Sequence, residues 1–292
     1  EAIKIVFSSI IFLFTFLPIT LLLYYVSPRV LKNSILLLAS LIFYAWGEPI
    51  YVFLMIGTIL IDYLLAILID RNRDDYSKCK WIFILTIILN VSILGFFKYF
   101  GFFVNNINSI FNLNIPFEGL ALPIGISFYT FQVLSYIVDV YLGKVEVQYN
   151  LINFATYVTM FPQLVAGPIV QYQTIEEQLN TRQESVFKFG EGVERFIQGL
   201  GKKILLANNI GMLWTTISSL ELSSISVLTA WLGIIAYTFQ IYFDFSAYSD
   251  MAIGLGKMFG FEFMENFNYP YISRSVTEFW RRWHISLGTW FR

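Results

Sequence analysis

Charge is scarce in this 292-residue chain. Only 13% of its residues are Asp, Glu, Lys or Arg, about half of the ~25% usual in a soluble domain. That is too few to cover the surface of a water-soluble protein of this size. Neither sign dominates: 19 Lys and Arg stand against 20 Asp and Glu, a net charge of −1, so a globally basic nucleic-acid binder is excluded. Cysteine occurs once, at Cys79, which rules out an internal disulfide or a thiolate metal cluster. Histidine also occurs once, at His284, so a protein-built metal site is not expected. Fixed-period repeats, low-complexity tracts and long linkers are lacking, and a single domain over residues 1–292 is expected. Apolar residues fill the space that charge leaves: 57% of the chain is hydrophobic, with 30 Phe, 18 Tyr and 7 Trp. Such richness in aromatics suits lipid-facing helices and interfacial belts. The class that remains is an all-α, polytopic membrane protein.

About 20 apolar residues are needed to cross a ~30 Å hydrocarbon core. Candidate spans are Ile3–Val26, Leu31–Trp46, Ile50–Ile69, Trp81–Phe100, Leu122–Leu142, Leu151–Val170, Ile204–Ser219 and Ile225–Phe243. The first lacks a basic leader and a small-residue cleavage site, so it reads as a retained helix rather than a signal peptide. Arg29 and Lys32 follow the first span and Arg71, Arg73, Lys78 and Lys80 the third, whereas Gly47-Glu48-Pro49 carries no base. The positive-inside rule then places the first and third loops in the cytoplasm. The basic stretch Arg182, Lys188, Arg195, Lys202 and Lys203 falls on that side only if 151–170 is re-entrant. Phe161-Pro162-Gln163-Leu164-Val165-Ala166-Gly167-Pro168 supplies the helix breakers such a segment needs. The chain begins at Glu1 without a Met and stops at Trp290-Phe291-Arg292 in mid-pattern, as expected of the front part of a longer chain.

Ionisable groups inside apolar runs are costly and are functional candidates by default. Asp62, Lys98, Asp139 and Asp244 qualify, although Asp62 and Asp139 fit equally well as structural groups paired with a Tyr, an amide or an Arg, and Lys98 as an interface-snorkelling residue. From Tyr237 an apolar helix runs into aromatics interleaved with Asp244, Ser246, Ser249 and Asp250, then into Gly254, Gly256 and Gly260. No strand precedes these glycines and their spacing fits no nucleotide loop, so helix–helix packing is their expected use. Further on, Ser275 to Trp290 reads as a helix capped by Ser275 or Thr277, with Glu278 and Arg282 as i, i+4 partners. Arg281, His284 and Gly288 then share a face, with Trp280 four residues before His284. A lone histidine more often serves as a hydrogen-bonded core group. The neighbouring Arg281, Arg282, Trp280, Trp283 and Trp290 weigh toward a basic, aromatic site for an anionic ligand.

Seven stretches in this order carry a resemblance: Val6–Ser9, Tyr44–Gly47, Phe97–Tyr99, Leu122–Gln132, Phe161–Ile169, Tyr242–Ala252 and Phe279–Leu287. Together they resemble the membrane-bound O-acyltransferase (MBOAT) family, most closely its bacterial branch of alginate O-acetyltransferase-like proteins. The resemblance implies a bacterial inner-membrane helix bundle around a trans-membrane tunnel. Acetyl groups would pass from a cytoplasmic donor such as acetyl-CoA, a substrate rather than a bound cofactor, to hydroxyls of an exported polysaccharide. Membrane lipids and a secreted or periplasmic acetyl-transferring protein are the further partners expected, and nucleic acid is not one. His284 matches the first of the family's two characteristic polar positions; the second, an invariant histidine usually taken as the catalytic base, is expected past Arg292. The resemblance thus makes His284 an active-site candidate but not the sole base. On this reading Arg281 and Arg282 hold the donor's phosphates, or else contact headgroups and Glu278. Trp280 and Trp283 would shape the tunnel wall. Asp244, Ser246 and Asp250 either line the tunnel or make helix-packing hydrogen bonds. D-alanyl transfer to teichoic acid and peptidoglycan O-acetylation are the alternatives within the family. A transporter or export channel is the alternative outside it, which would call for paired broken helices.

Overall fold

The computed structural model describes residues 6–117, 121–164, 167–221 and 225–291. Residues Ile3–Ile5 of the first expected span and Val165-Ala166 of the Pro-Gly motif therefore lie outside the described residues. The rest is helical, with no strand among the described residues beyond one isolated bridge. In chain order, a π-helical turn Phe12–Phe16 leads into α1 (Leu17–Val26), followed by α2 (Arg29–Gly47), α3 (Tyr51–Arg71), α4 (Tyr76–Phe111), α5 (Ile126–Tyr141), α6 (Leu151–Thr159), α7 (Phe161–Leu164) and α8 (Tyr172–Thr181). Then come α9 (Val186–Gly201), a π-helical segment Lys202–Ala207, α10 (Asn208–Ser218), α11 (Val227–Met258), α12 (Val276–Arg282) and α13 (Ile285–Trp290). Among the described residues α2, α3, α4 and α11 are long and apolar enough to cross a membrane. The chain divides into two compact units, one of residues 28–164 with 171–179 and one of 6–27, 167–170 and 180–291.

In the first unit, the polar residues of the spans pair with one another. Asp62 of α3 is 1% exposed and accepts from the Asn90 amide of α4 at 2.7 Å, the amide pairing expected of a structural carboxylate. Asn33 of α2 donates to Asn153 of α6 at 2.7 Å, and Thr156 donates to the Asn33 carbonyl at 3.0 Å. The segment 151–170 does not cross as one helix. α6 has nine residues, roughly 14 Å at 1.5 Å per residue and less than half the core thickness. At Met160 the backbone turns (φ −46°, ψ 110°), and the buried α7 follows, its Phe161 N–H donating to Ser40 Oγ at 3.0 Å. α5 begins late, at Ile126, because Gly125 sits at φ +72°, where a Cβ would lie 2.7 Å from the Leu164 carbonyl oxygen. Only glycine fits such a left-handed, close approach.

The second unit is organised by α9 and α11. These helices run antiparallel with Gly192 against Gly254 and Gly199 against Ala247, so Gly254 serves helix–helix packing as expected, whereas Gly256 lies against the ring of Phe263, which follows the helix and belongs to none. Gly260 departs from that reading: at φ +84° it ends α11 in the left-handed conformation common after a helix. The basic residues 188–203, expected in a connection between spans, lie instead within a helical run, α9 and the π-helical segment. The helix expected over Ser275–Trp290 is also corrected. α12 is capped by Ser275, whose Oγ accepts from the Glu278 N–H at 3.1 Å, but it stops at Arg282. Trp283 is extended and His284 left-handed (φ 46°, ψ 55°) before α13 resumes. The cause is an antiparallel bridge between Phe267 and Trp283. Asn268 N–H donates to the Arg282 carbonyl and Ile285 N–H to the Asn266 carbonyl, each at 2.9 Å.

Candidate active site around His284

The break moves His284 off the face expected for it, so Trp280, Arg281 and His284 do not form one helical stripe. The ring is held from another direction. His284 Nδ1 lies 3.0 Å from Asn266 Oδ1, and Phe245 of α11 packs edge-on against the imidazole with ring centroids 4.8 Å apart. Nε2 has no hydrogen-bond partner among the described residues. Burial without a carboxylate partner pulls the imidazole from 6.5 down to about 4, because a low-dielectric setting penalises the charged form. The ring is therefore neutral at pH 7. A left-handed backbone costs a non-glycine residue about 1–2 kcal/mol, here sustained by the bonds to Asn266.

Asn266 is fully buried and is the hub that sequence reasoning passed over. Its Oδ1 accepts from Ser286 N–H (3.2 Å) and Ser286 Oγ (2.9 Å) as well as facing the imidazole, and its Nδ2 donates to Ser249 Oγ on α11 (2.9 Å). Ser286 Oγ in turn accepts from the Ile169 N–H at 3.0 Å. Asn266 thus joins two of the stretches singled out in the sequence, 242–252 and 279–287, and Ile169 is tied to the same network through Ser286. Only its place in Asn266-Phe267-Asn268-Tyr269-Pro270, a polar turn between two aromatic segments, was available as a signal.

Beside this network lies a cavity of about 520 Å³ lined by Arg195, Lys202, Tyr242, Ser246, Asp250 and Phe267, among others, and reaching Ile285. Asp250 accepts from Arg195 at 2.7 Å and Lys202 at 2.5 Å, and Arg195 also pairs with Glu265 at 2.5 Å. Lys203, next to Lys202 in the π-helical segment, pairs with Asp244 of the same helix α11. Ser246 Oγ and Arg195 Nε are buried without a hydrogen-bond partner among the described residues. Of the predicted residues, Ser246 and Asp250 line the cavity and Asp244 is tied to Lys203. Arg195 and Lys202 entered the sequence reading only as loop charges.

The predicted arginines divide. Arg282 is committed: Nε and Nη2 bond Glu278 Oε1 at 3.0 and 2.9 Å, and Nη1 bonds the Asn268 carbonyl at 3.1 Å. Glu278 is held below the usual carboxylate range, first by the Arg274 backbone N–H and then by Arg282. Arg281 is exposed and has no ion pair among the described residues. Trp280 is 60% exposed, whereas Trp283 stacks on Phe279 (5.7 Å, 14°) and stands edge-on to Phe267 (5.1 Å, 89°). No cluster of three metal-ligating side chains occurs among the described residues.

These features define a multi-pass helical membrane protein with a neutral histidine anchored by Asn266 and a cavity that reaches the adjacent Ile285. The family model for the membrane-bound O-acyltransferases matches residues 143–292, and the chain belongs to that family. It is 48% identical to the probable alginate O-acetylase AlgI of Pseudomonas aeruginosa, over 98% of this chain and 56% of that protein. It is 34% identical to the peptidoglycan O-acetyltransferase of Helicobacter pylori (97% and 60%) and 30% identical to the teichoic acid D-alanyltransferase of Bacillus subtilis (61% and 45%). The chain thus spans little more than half the length of the alginate O-acetylase it matches.

Proposed function

We propose that this chain is part of an O-acyltransferase of the bacterial inner membrane that moves acetyl groups from a cytoplasmic donor to hydroxyls of an exported polysaccharide of the alginate type. One observation carries the reading. His284, neutral and with Nε2 unengaged, stands in a chain 48% identical over nearly its whole length to a probable alginate O-acetylase. Acyl transfer from a thioester forms an ester bond to the hydroxyl oxygen and breaks the acyl–sulfur bond, and the hydroxyl proton ends on the departing thiol. A neutral imidazole nitrogen accepts the hydroxyl hydrogen bond and can pass that proton on. Donors near the carbonyl stabilise the developing oxyanion. Arg281 is suited to the phosphates of an acyl donor such as acetyl-CoA, a role for which Arg282 has no nitrogen to spare. A secreted acetyl-transferring protein would receive the group where the polysaccharide is not itself the first acceptor.

The test is acetyl transfer by the intact protein in sealed vesicles, with labelled acetyl-CoA on one side and polymannuronate on the other. Label should reach the polymer, and His284→Ala should remove most of it. Turnover by His284→Ala near that of wild type would refute the active-site role. Transfer of D-alanine from a carrier protein, but not of acetate, would favour the teichoic acid reading instead.

A further inference from the structure

We infer that Asn266 is the positioning residue of His284: its side-chain oxygen fixes the imidazole as the Nδ1–H tautomer and so presents Nε2 as the lone-pair nitrogen. The inference rests on the reading that His284 serves acyl transfer, but the tautomer follows from hydrogen bonding alone.

The orientation of the Asn266 amide is settled by a group that cannot flip. The Ser286 backbone N–H, 3.2 Å away, is a donor, so the atom facing it is the acceptor Oδ1 and the Nδ2 group faces Ser249 Oγ at 2.9 Å. An amide oxygen has no hydrogen to give. A ring nitrogen 3.0 Å from it must therefore carry the proton. Ser286 does not supply Nδ1 with a proton instead: its single hydroxyl hydrogen goes to Asn266 Oδ1 at 2.9 Å rather than to His284 Nδ1 at 3.4 Å. With Nδ1–H fixed, the second nitrogen of the neutral ring is the acceptor. Asn266 also takes Ile285 N–H on its own carbonyl at 2.9 Å, so one residue holds both the left-handed backbone of His284 and the ring. An aspartate at 266 would keep every acceptor contact and add a negative charge against Nδ1–H, with Ser249 able to turn its hydroxyl into a donor.

Nitrogen-15 spectra of the intact, histidine-labelled protein in detergent, with the His284 signals assigned by their loss in His284→Gln, read the tautomer without reference to activity. The wild-type ring should show a protonated Nδ1 and an unprotonated Nε2 at pH 7. Asn266→Asp should keep that pattern, raise the pH at which the ring titrates, and carry the acid limb of kcat upward with it. Asn266→Ala should mix the two tautomers and lower kcat about 10–100-fold, with donor KM changed far less. A wild-type ring protonated on Nε2, or an Asn266→Asp protein whose ring titrates where the wild type does, overturns the inference, whether or not Asn266→Ala folds. If His284→Ala still transfers acetyl groups normally, the proposed function fails while the spectra still decide the role of Asn266.

Discussion

Gly192 and Gly254 face each other across the α9–α11 contact with no room for a side chain on either. A Cβ at Gly192 would come 2.7 Å from the Gly254 carbonyl oxygen, and a Cβ at Gly254 2.6 Å from that of Gly192. Backbone stands against backbone, so no side-chain rotamer can yield. Gly192→Ala and Gly254→Ala should each cost about 1–3 kcal/mol through forced separation of the helices. At Gly57 of α3 a Cβ would meet nothing within 4 Å, and Gly57→Ala should gain about 0.5–1 kcal/mol from helix propensity alone. Thermal melting of the three variants in one detergent checks the contrast.

Asp250 and Asp244 lie on the same helix and pair with neighbouring lysines, yet their surroundings differ. The Asp250 side chain is 7% exposed and holds both Arg195 and Lys202, whereas that of Asp244 is 43% exposed and holds Lys203. Removing one partner of a fully buried pair costs about 3–5 kcal/mol. Here Arg195 and Lys202 border a cavity and can reach solvent, so Asp250→Asn should fall below that range while still lowering the melting temperature clearly. Asp244→Asn should change stability by less than about 1 kcal/mol. Equal losses from the two variants would show that burial is not what sets the Asp250 pair apart.

The class of fold was legible because it follows from composition: so few charges and so many aromatics leave a lipid-facing helix bundle as the stable arrangement. Local pairs were legible too. Ser275 capping and the Glu278–Arg282 pair are three- and four-residue relationships, and the structure contains both. The break at His284 was not legible, because it is imposed by backbone bonds to Asn266 and Asn268, far outside a helical turn. Nothing in the periodicity of 275–290 reports a partner so distant in sequence. Arg195 and Lys202 were opaque for a similar reason: they look like loop charges until the helix containing them is seen to pack on Asp250.

The position of the His284 titration gives a pH prediction with a definite sign. In the unfolded chain the imidazole takes up its proton near 6.5, but in the folded protein only near 4. Between these values the unfolded state binds more protons, so stability rises with pH across that window. The contribution is fully present above about 6.5 and is lost as pH falls toward 4. His284→Gln removes it, so the difference in melting temperature between wild type and variant should shift against the wild type as pH drops from 6.5 to 4, and stay constant from 7 to 8. Activity that depends on neutral His284 should likewise show its acid limb well below pH 6. A limb centred near 6.5 would mean that the ring is solvated in the working protein.

Arg281 and Arg282 are adjacent in sequence, and their contacts assign them different work. Every guanidinium nitrogen of Arg282 is engaged, two by Glu278 and one by the Asn268 carbonyl that adjoins the bridge beside His284. Arg282→Ala should therefore lower stability by about 1–2 kcal/mol and reduce kcat by loosening the α12 stop, with little selectivity for the donor. Arg281 is exposed and makes no ion pair among the described residues, so Arg281→Ala should leave stability within about 0.5 kcal/mol of wild type. If it meets the donor's phosphates, Arg281→Ala should raise KM for acetyl-CoA several-fold, and the effect should shrink for a donor truncated to its pantetheine arm. Steady-state kinetics with the two donors, read beside the melting curves, separates the roles. An Arg281→Ala enzyme with unchanged KM for both donors would take the phosphate contact away from this residue.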